Sequence, residues 1–197
     1  MTIFQSVFDI IGPVMVGPSS SHTAGAVRIG LAARSIFEEQ PDEVDITFYG
    51  SFGHTYKGHG TDRALLAGAL GLWEDDERLK DSFELARGAG LGFSFLPEDL
   101  GDVHENTVKM TFYLGEQGEL ATAPTQVIQG SSLGGGRILV TRIGGFDTGI
   151  TLEAPTIVVM QKDLPGVISS VTAAVAVTAV AATSRAIPRS STSRLAG

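Results

Sequence analysis

Apolar residues recur at helical spacing from Ala24 onward: Ala26, Val27, Ile29, Leu31, Ala32 and Ala33, with Ile36 and Phe37 beyond. That spacing predicts a helix with a broad apolar face that ends near Gln40–Pro41. Val44, Ile46 and Phe48 then alternate with Asp45, Thr47 and Tyr49, which predicts a half-buried strand. Ala64, Leu65, Ala67 and Ala69 predict a second helix, running from Thr61 through Leu70. Further strands are expected at Phe93–Leu96 and at Thr107–Leu114, where Val108, Met110, Phe112 and Leu114 share one face. Two more follow at Leu120–Ile128, after a turn at Glu116–Gly118, and at Arg137–Ile143. Thr2–Ile11 is apolar-rich and reads as a short helix or strand. Such a run of elements is α+β: a mixed or antiparallel sheet with helices on one side.

The pattern changes after residue 150. Pro155–Met160 is a continuous apolar run that predicts a strand, and Val167–Val177 predicts a helix. Together they read as the opening of a second, small α/β unit. Thr178–Gly197 is rich in alanine, serine and arginine, and an irregular tail is expected there. The division is therefore residues 1–150 and 151–197.

Composition narrows the function classes. The chain has 197 residues, 43% of them hydrophobic, enough to bury a core. A net charge of −8 makes nucleic acid and anionic membrane surfaces poor partners. No apolar run reaches the ~20 residues that span a bilayer. Met1–Pro13 lacks a basic start and a long apolar stretch, so no secretory leader is expected and the cytoplasm is the expected location. With no cysteine, the chain has no disulfide and no thiolates for an iron–sulfur cluster. His22, His54, His59 and His104 are too scattered to suggest a zinc site.

Candidate chemistry sits in three stretches of small polar residues. Gly17–Gly25 reads G-P-S-S-S-H-T-A-G and runs straight into the first predicted helix. Ser19, Ser20 or Ser21 can cap that helix, whose first N–H groups lack internal acceptors. Those N–H groups, the helix dipole, the hydroxyls of Ser19, Ser20, Ser21 and Thr23, and His22 together make a pocket for a small carboxylate. The plainer alternative is a serine-rich cap with a nearby histidine. A nucleophilic hydrolase is disfavoured, because no G-x-S-x-G elbow is present. Gly50–Gly60 reads G-S-F-G-H-T-Y-K-G-H-G and is expected as a loop. In it His59 stands between Gly58 and Gly60, with Thr61 and Asp62 following, an arrangement that suits a general base or an ordinary loop histidine. The third stretch, Gly130–Gly136, reads G-S-S-L-G-G-G and is likewise expected as a loop. Loops carry sites when a scaffold gathers them, so at least two of the three are expected to converge.

Taken together, G-P-S-S-S-H-T-A-G at 17–25, Y-G-S-F-G-H-T-Y-K-G-H-G-T-D at 49–62 and S-S-L-G-G-G at 131–136 resemble the β chain of iron–sulfur-dependent L-serine dehydratase. The resemblance covers residues 1 to about 177. It implies a lyase that turns L-serine into pyruvate and ammonia and is active only as a hetero-oligomer with an α subunit. That subunit would carry a 4Fe-4S cluster on its own cysteines. The first domain would share its fold with the substrate-binding regulatory domain of some phosphoglycerate dehydrogenases. The stretch from Pro155 looks like the start of an ACT domain, but only 43 residues remain where a βαββαβ set needs roughly 60 to 70. An incomplete ACT-like segment is expected, without amino-acid sensing. By resemblance and position, His59 is the first choice for the base and His22 the second. Ser19, Ser20, Ser21 and Thr23 would bind the substrate carboxylate, supported by Gly58, Gly60, Thr61 and Asp62. The alternative is a regulatory module that binds a small hydroxy- or amino acid without chemistry.

Overall fold

The computed structural model describes residues 12–115, 123–162 and 164–178. The chain divides into two units, with the boundary between Thr156 and Ile157.

The first unit is built on a six-stranded sheet in the order β2-β1-β3-β4-β5-β6. Its strands are β1 (Glu43–Phe48), β2 (Gly92–Pro97), β3 (Thr107–Tyr113), β4 (Gln126–Gly134), β5 (Arg137–Ile143) and β6 (Phe146–Ile150). The pair β1 and β2 is parallel and every other pairing is antiparallel, so the sheet is mixed, as expected for the α+β class. Between β1 and β2 the chain makes a helical crossover, α2 (Gly50–His59), α3 (Thr61–Ala69) and α4 (Ser82–Gly88), which a parallel connection requires. Before β1 comes α1 (Ala26–Phe37), entered through a π-helical turn at Ser20–Gly25.

Side-chain alternation sets the sheet's register. Val44, Ile46 and Phe48 are fully buried, and so are their β3 partners Phe112, Met110 and Val108. Against this face lie Val27, Ile29, Ala33, Leu65 and Leu66, which with the strand residues make one continuous core. Helices α1 and α3 cross at Gly30 and Gly68. A Cβ on Gly30 would stand 2.3 Å from the Leu65 carbonyl oxygen, and one on Gly68 would stand 2.2 Å from that of Val27. The helices therefore touch backbone to backbone, and neither position has room for a side chain.

Two expected loops are ordered elements. Gly50–Gly60 forms helix α2 up to His59 despite three glycines at helical positions. Phe52 is fully buried and Tyr56 stacks on Phe48 at 4.6 Å, so tertiary packing outweighs the poor local propensity. Gly130–Ser132 lies inside β4, and a Cβ on Gly130 would stand 3.1 Å from Ile29 Cγ2 of α1. Only the tip of the β4–β5 hairpin, Gly135 and Gly136, is a turn, with φ of +63° and +77°, and Gly134 ends β4 with φ +88°. The expected strand at Leu120–Ile128 begins at Gln126, and its first three residues, with the turn at Glu116–Gly118 and all of Thr2–Ile11, lie outside the described residues.

Among its described residues the second unit holds one helix, α5 (Val167–Thr178). The strand expected at Pro155–Met160 is not formed; Ile157, Val159 and Met160 are exposed at 70%, 49% and 62%. An apolar run becomes a strand only beside a ladder partner, and among the described residues none pairs with this one. Among the described residues no helix is long and apolar enough to cross a membrane.

Candidate functional site

Ser19 starts the site. Its backbone is extended (φ −140°, ψ 126°), and its Oγ accepts the His22 N–H at 3.1 Å, so it is the N-cap. The Ser19 carbonyl accepts from Thr23 N at 2.9 Å and from Ala24 N at 3.4 Å. The last reach widens the turn into π geometry, a local feature that often marks a functional site. At its head stand the N–H groups of Ser20 and Ser21, where a helix has no internal acceptors. Thr23, Ala24 and Gly25 are buried, and a Cβ on Gly25 would stand 2.2 Å from Ser132 Oγ of β4. The serine turn is thereby seated directly on the third polar stretch.

His22 joins the serine turn to α2. Its Nδ1 meets Ser21 Oγ at 3.0 Å and its Nε2 meets Ser51 Oγ at 3.3 Å. The ring packs edge-on against Phe52 and against His59, each with centroids 5.0 Å apart. Burial lowers the His22 pKa from its ordinary value, and a charge on His59 lowers it further, while Glu105 pulls it back up. His22 is therefore a neutral imidazole at neutral pH. His59, the last residue of α2, is exposed. Gly60 takes the left-handed conformation after it (φ +68°), ending α2 so that α3 can begin at Thr61. A Cβ at Gly58 or Gly60 would meet nothing within 4 Å, so space beside His59 is open.

All three polar stretches thus meet, but through helix and strand rather than as three loops. Ser21, His22, Ser51 and His59 form one cluster, and Ser132 lies under the turn that carries it. Thr61 and Asp62 sit deeper than a substrate loop would place them: Thr61 is fully buried and Asp62 is 9% exposed. The Asp62 carboxylate accepts from the Arg63 N–H at 2.8 Å, and its charged neighbours are Arg63 and Lys57. Among the described residues, the buried atoms Thr23 Oγ1, Thr61 Oγ1, Ser132 Oγ and Asn106 Oδ1 have no hydrogen-bond partner. Unsatisfied polar atoms are costly in a fold, and each of the three polar stretches contains one of these hydroxyls.

Burial raises the Asp62 pKa above its ordinary 3.8, more than its hydrogen bonds and cationic neighbours lower it. A raised carboxyl binds more protons folded than unfolded, so stability falls as pH climbs from 3.8 through the folded value. Asp62→Asn is accordingly expected to raise the chain's denaturation midpoint at pH 7, with the gain vanishing below pH 3.8. An equal gain at both pH values contradicts the assignment.

Several residues of the site carried no signal in sequence. Ser51 and Phe52 were hidden in a stretch that reads as a flexible loop. Glu105 acts on His22 only through space. Arg28 donates to Glu74 Oε1 through Nε at 3.1 Å and Nη2 at 2.6 Å, and to the Gly136 carbonyl through Nη1 at 2.9 Å. The Glu74 carbonyl in turn accepts from Val16 N at 2.7 Å. This clasp ties the approach to the serine turn onto α1 and the β4–β5 hairpin. A shallow open cleft of about 450 Å³ lies elsewhere, lined by Tyr49, Gly50, Gly53, His54, Glu98 and Asp99 among others. None of the clustered hydroxyls or imidazoles lines it, and the hydroxyl–histidine cluster is the chemically richer place.

The chain has no cysteine, and among the described residues no group of three or more His, Cys, Asp or Glu is placed to hold a metal ion.

Comparison with known proteins bears on the same residues. Residues 6–89 match the family model of the serine dehydratase beta chain. The chain is 47% identical over 168 residues to the probable L-serine dehydratase, beta chain, of Bacillus subtilis (strain 168), covering 85% of this chain and 73% of that protein. It is 45% identical over 167 residues to the L-serine dehydratase, beta chain, of Peptoniphilus asaccharolyticus, covering 84% and 72%. Against L-serine dehydratase TdcG of Escherichia coli (strain K12), identity is 29% over 174 residues, 76% of this chain but 37% of the longer protein.

Proposed function

The chain belongs to the serine dehydratase β-chain family, and on that basis we propose that it works with an α subunit, as a cytoplasmic hetero-oligomer, to convert L-serine into pyruvate and ammonia. The observation that carries the reading is the meeting of the family's separated motifs at the paired rings of His22 and His59. In this proposal a 4Fe-4S cluster belongs to the α subunit and supplies the Lewis acid for loss of the serine hydroxyl. This chain's own residues bind the substrate and take its α-proton.

Ser20, Ser21 and the N–H groups at the head of the π turn receive the substrate carboxylate. Ser19 shapes the turn as its cap, and Thr23 lies beneath it with its hydroxyl unpartnered. His59, exposed beside open space, takes the proton from the α-carbon. His22 is the second candidate, but both its ring nitrogens are already engaged by hydroxyls. Gly58 leaves room for the substrate, Gly60 turns the chain, and Thr61 and Asp62 anchor the turn from below. Loss of the α-proton and the β-hydroxyl leaves aminoacrylate, which tautomerises to an imine; water then releases pyruvate and ammonia. Residues 1–150 do this work, and 151–197, the incomplete ACT-like segment, take no part in it.

Co-expression with an α chain and anaerobic assay tests the proposal. Equal amounts of pyruvate and ammonia are expected from L-serine when both chains are present, and neither product from either chain alone. Full turnover by the α chain alone contradicts it. So does a complex that binds serine without consuming it, which is the behaviour of a regulatory module.

A further inference from the structure

Ser51 makes a polar contact in the site that neither substrate binding nor proton removal uses. It stands in the first turn of α2, one residue before Phe52 and eight before His59. All three side chains reach the same imidazole: Ser51 Oγ lies 3.3 Å from His22 Nε2, and the Phe52 and His59 rings both pack edge-on at 5.0 Å. One helix thus grips His22 at both of its ends. From the other side Ser21 Oγ holds Nδ1 at 3.0 Å, and Ser21 Oγ lies 3.3 Å from the capping Ser19 Oγ. A neutral imidazole offers one N–H and one bare nitrogen. One of the two hydroxyls must therefore donate to the ring while the other accepts from it. The two hydroxyls thus set the tautomer between them, Ser21 at Nδ1 and Ser51 at Nε2, and losing either one frees it.

We propose that Ser51 is a positioning residue for the reaction, which through Nε2 holds the His22 ring in one tautomer and at one angle between the serine turn and His59. It acts on substrate only through His22. This rests on the serine-binding role proposed for the turn. The grip relies on α2 being a fixed helix, which Phe52 and Tyr56 anchor to the core. With Ser51 removed, His22 can rotate, Ser21 loses its fixed partner, and the carboxylate pocket loosens while the base on His59 stays in place.

A double-mutant cycle in the assembled α–β enzyme tests this, since residues acting through one another fail to add. Ser51→Ala is expected to raise KM for L-serine about fivefold, the loss of one ordinary hydrogen bond, and to change kcat less than twofold. Ser51→Thr keeps the hydroxyl and is expected to restore KM to within about twofold of wild type. In a His22→Asn background, Ser51→Ala is expected to add nothing. An effect that multiplies onto His22→Asn, or a KM unmoved by Ser51→Ala, overturns the inference. Should Ser51→Ala fail to fold, Ser51→Cys keeps the volume, weakens the hydrogen bond and is read by the same criteria. A wild-type complex that forms no pyruvate defeats the proposed function itself; an active complex with a multiplicative cycle defeats only the role of Ser51.

Discussion

Ser20→Ala combined with Ser21→Ala is expected to raise KM for L-serine by about 10²-fold or more, since each hydrogen bond to a charged group is worth about 1.5–3 kcal/mol. The fold should survive. Ser19, not Ser20 or Ser21, accepts the His22 N–H and caps the turn. The buried side of the turn, Thr23 to Gly25, is untouched and stays seated on Ser132. Neither hydroxyl caps the turn, and the Ser21 hydroxyl meets only His22 Nδ1 and the Ser19 hydroxyl, at the part-buried surface of the site. Ser19→Ala makes the contrast: loss of a cap costs about 1 kcal/mol of stability, and binding suffers only as far as the turn loosens. A steady-state assay of the reconstituted enzyme separates the cases. If the double variant pairs with the α chain and shows wild-type KM, the carboxylate is bound elsewhere.

Much of the sheet was legible because strands buried on one face alternate. Val44, Ile46 and Phe48 give β1 within a residue of its bounds, and β5 matches its expected span. Helix α1 was legible from its apolar spacing, though it ends at Phe37, where Glu38 follows with φ +69°. What failed was local inference in glycine-rich sequence. Helix α2 exists because Phe52 and Tyr56 reach the core, and nothing local says so. Strand β6, which was not among the expected elements, exists because the turn at Gly144 and Gly145 folds Phe146–Ile150 back onto β5. The apolar run after Pro155 erred the other way: its composition suits a strand, but a strand needs a partner.

The candidate site was legible as motifs and not as geometry. The sequence showed hydroxyls and histidines in three stretches, and convergence was expected of at least two. Which atoms meet depends on long-range packing. Ser51 reaches His22 across 29 residues of chain, and the Arg28–Glu74 clasp spans 46. The burial of Thr61 and Asp62 was equally invisible, because a residue at a helix start can face either way.

The two histidines remain to be told apart by chemistry. They share an edge-on contact, but their surroundings differ. His22 is half-buried, neutral and held at both nitrogens, which suits a ring that orients other groups. His59 is exposed at the end of α2, with open space at the glycines on both sides. A positioned general base is worth about 10²–10⁴-fold in rate. His59→Asn keeps much of the shape and removes the basicity, so kcat is expected to fall at least about 10²-fold with little change in KM. His22→Asn is expected to raise KM more than it lowers kcat. The decisive measurement is kcat and KM for L-serine of these two variants, each assembled with the same α chain. Loss of kcat with His59→Asn alone is the result predicted here. Normal turnover with His59→Asn and abolished turnover with His22→Asn would reverse the roles, and an unchanged kcat in both would place the base on the α chain.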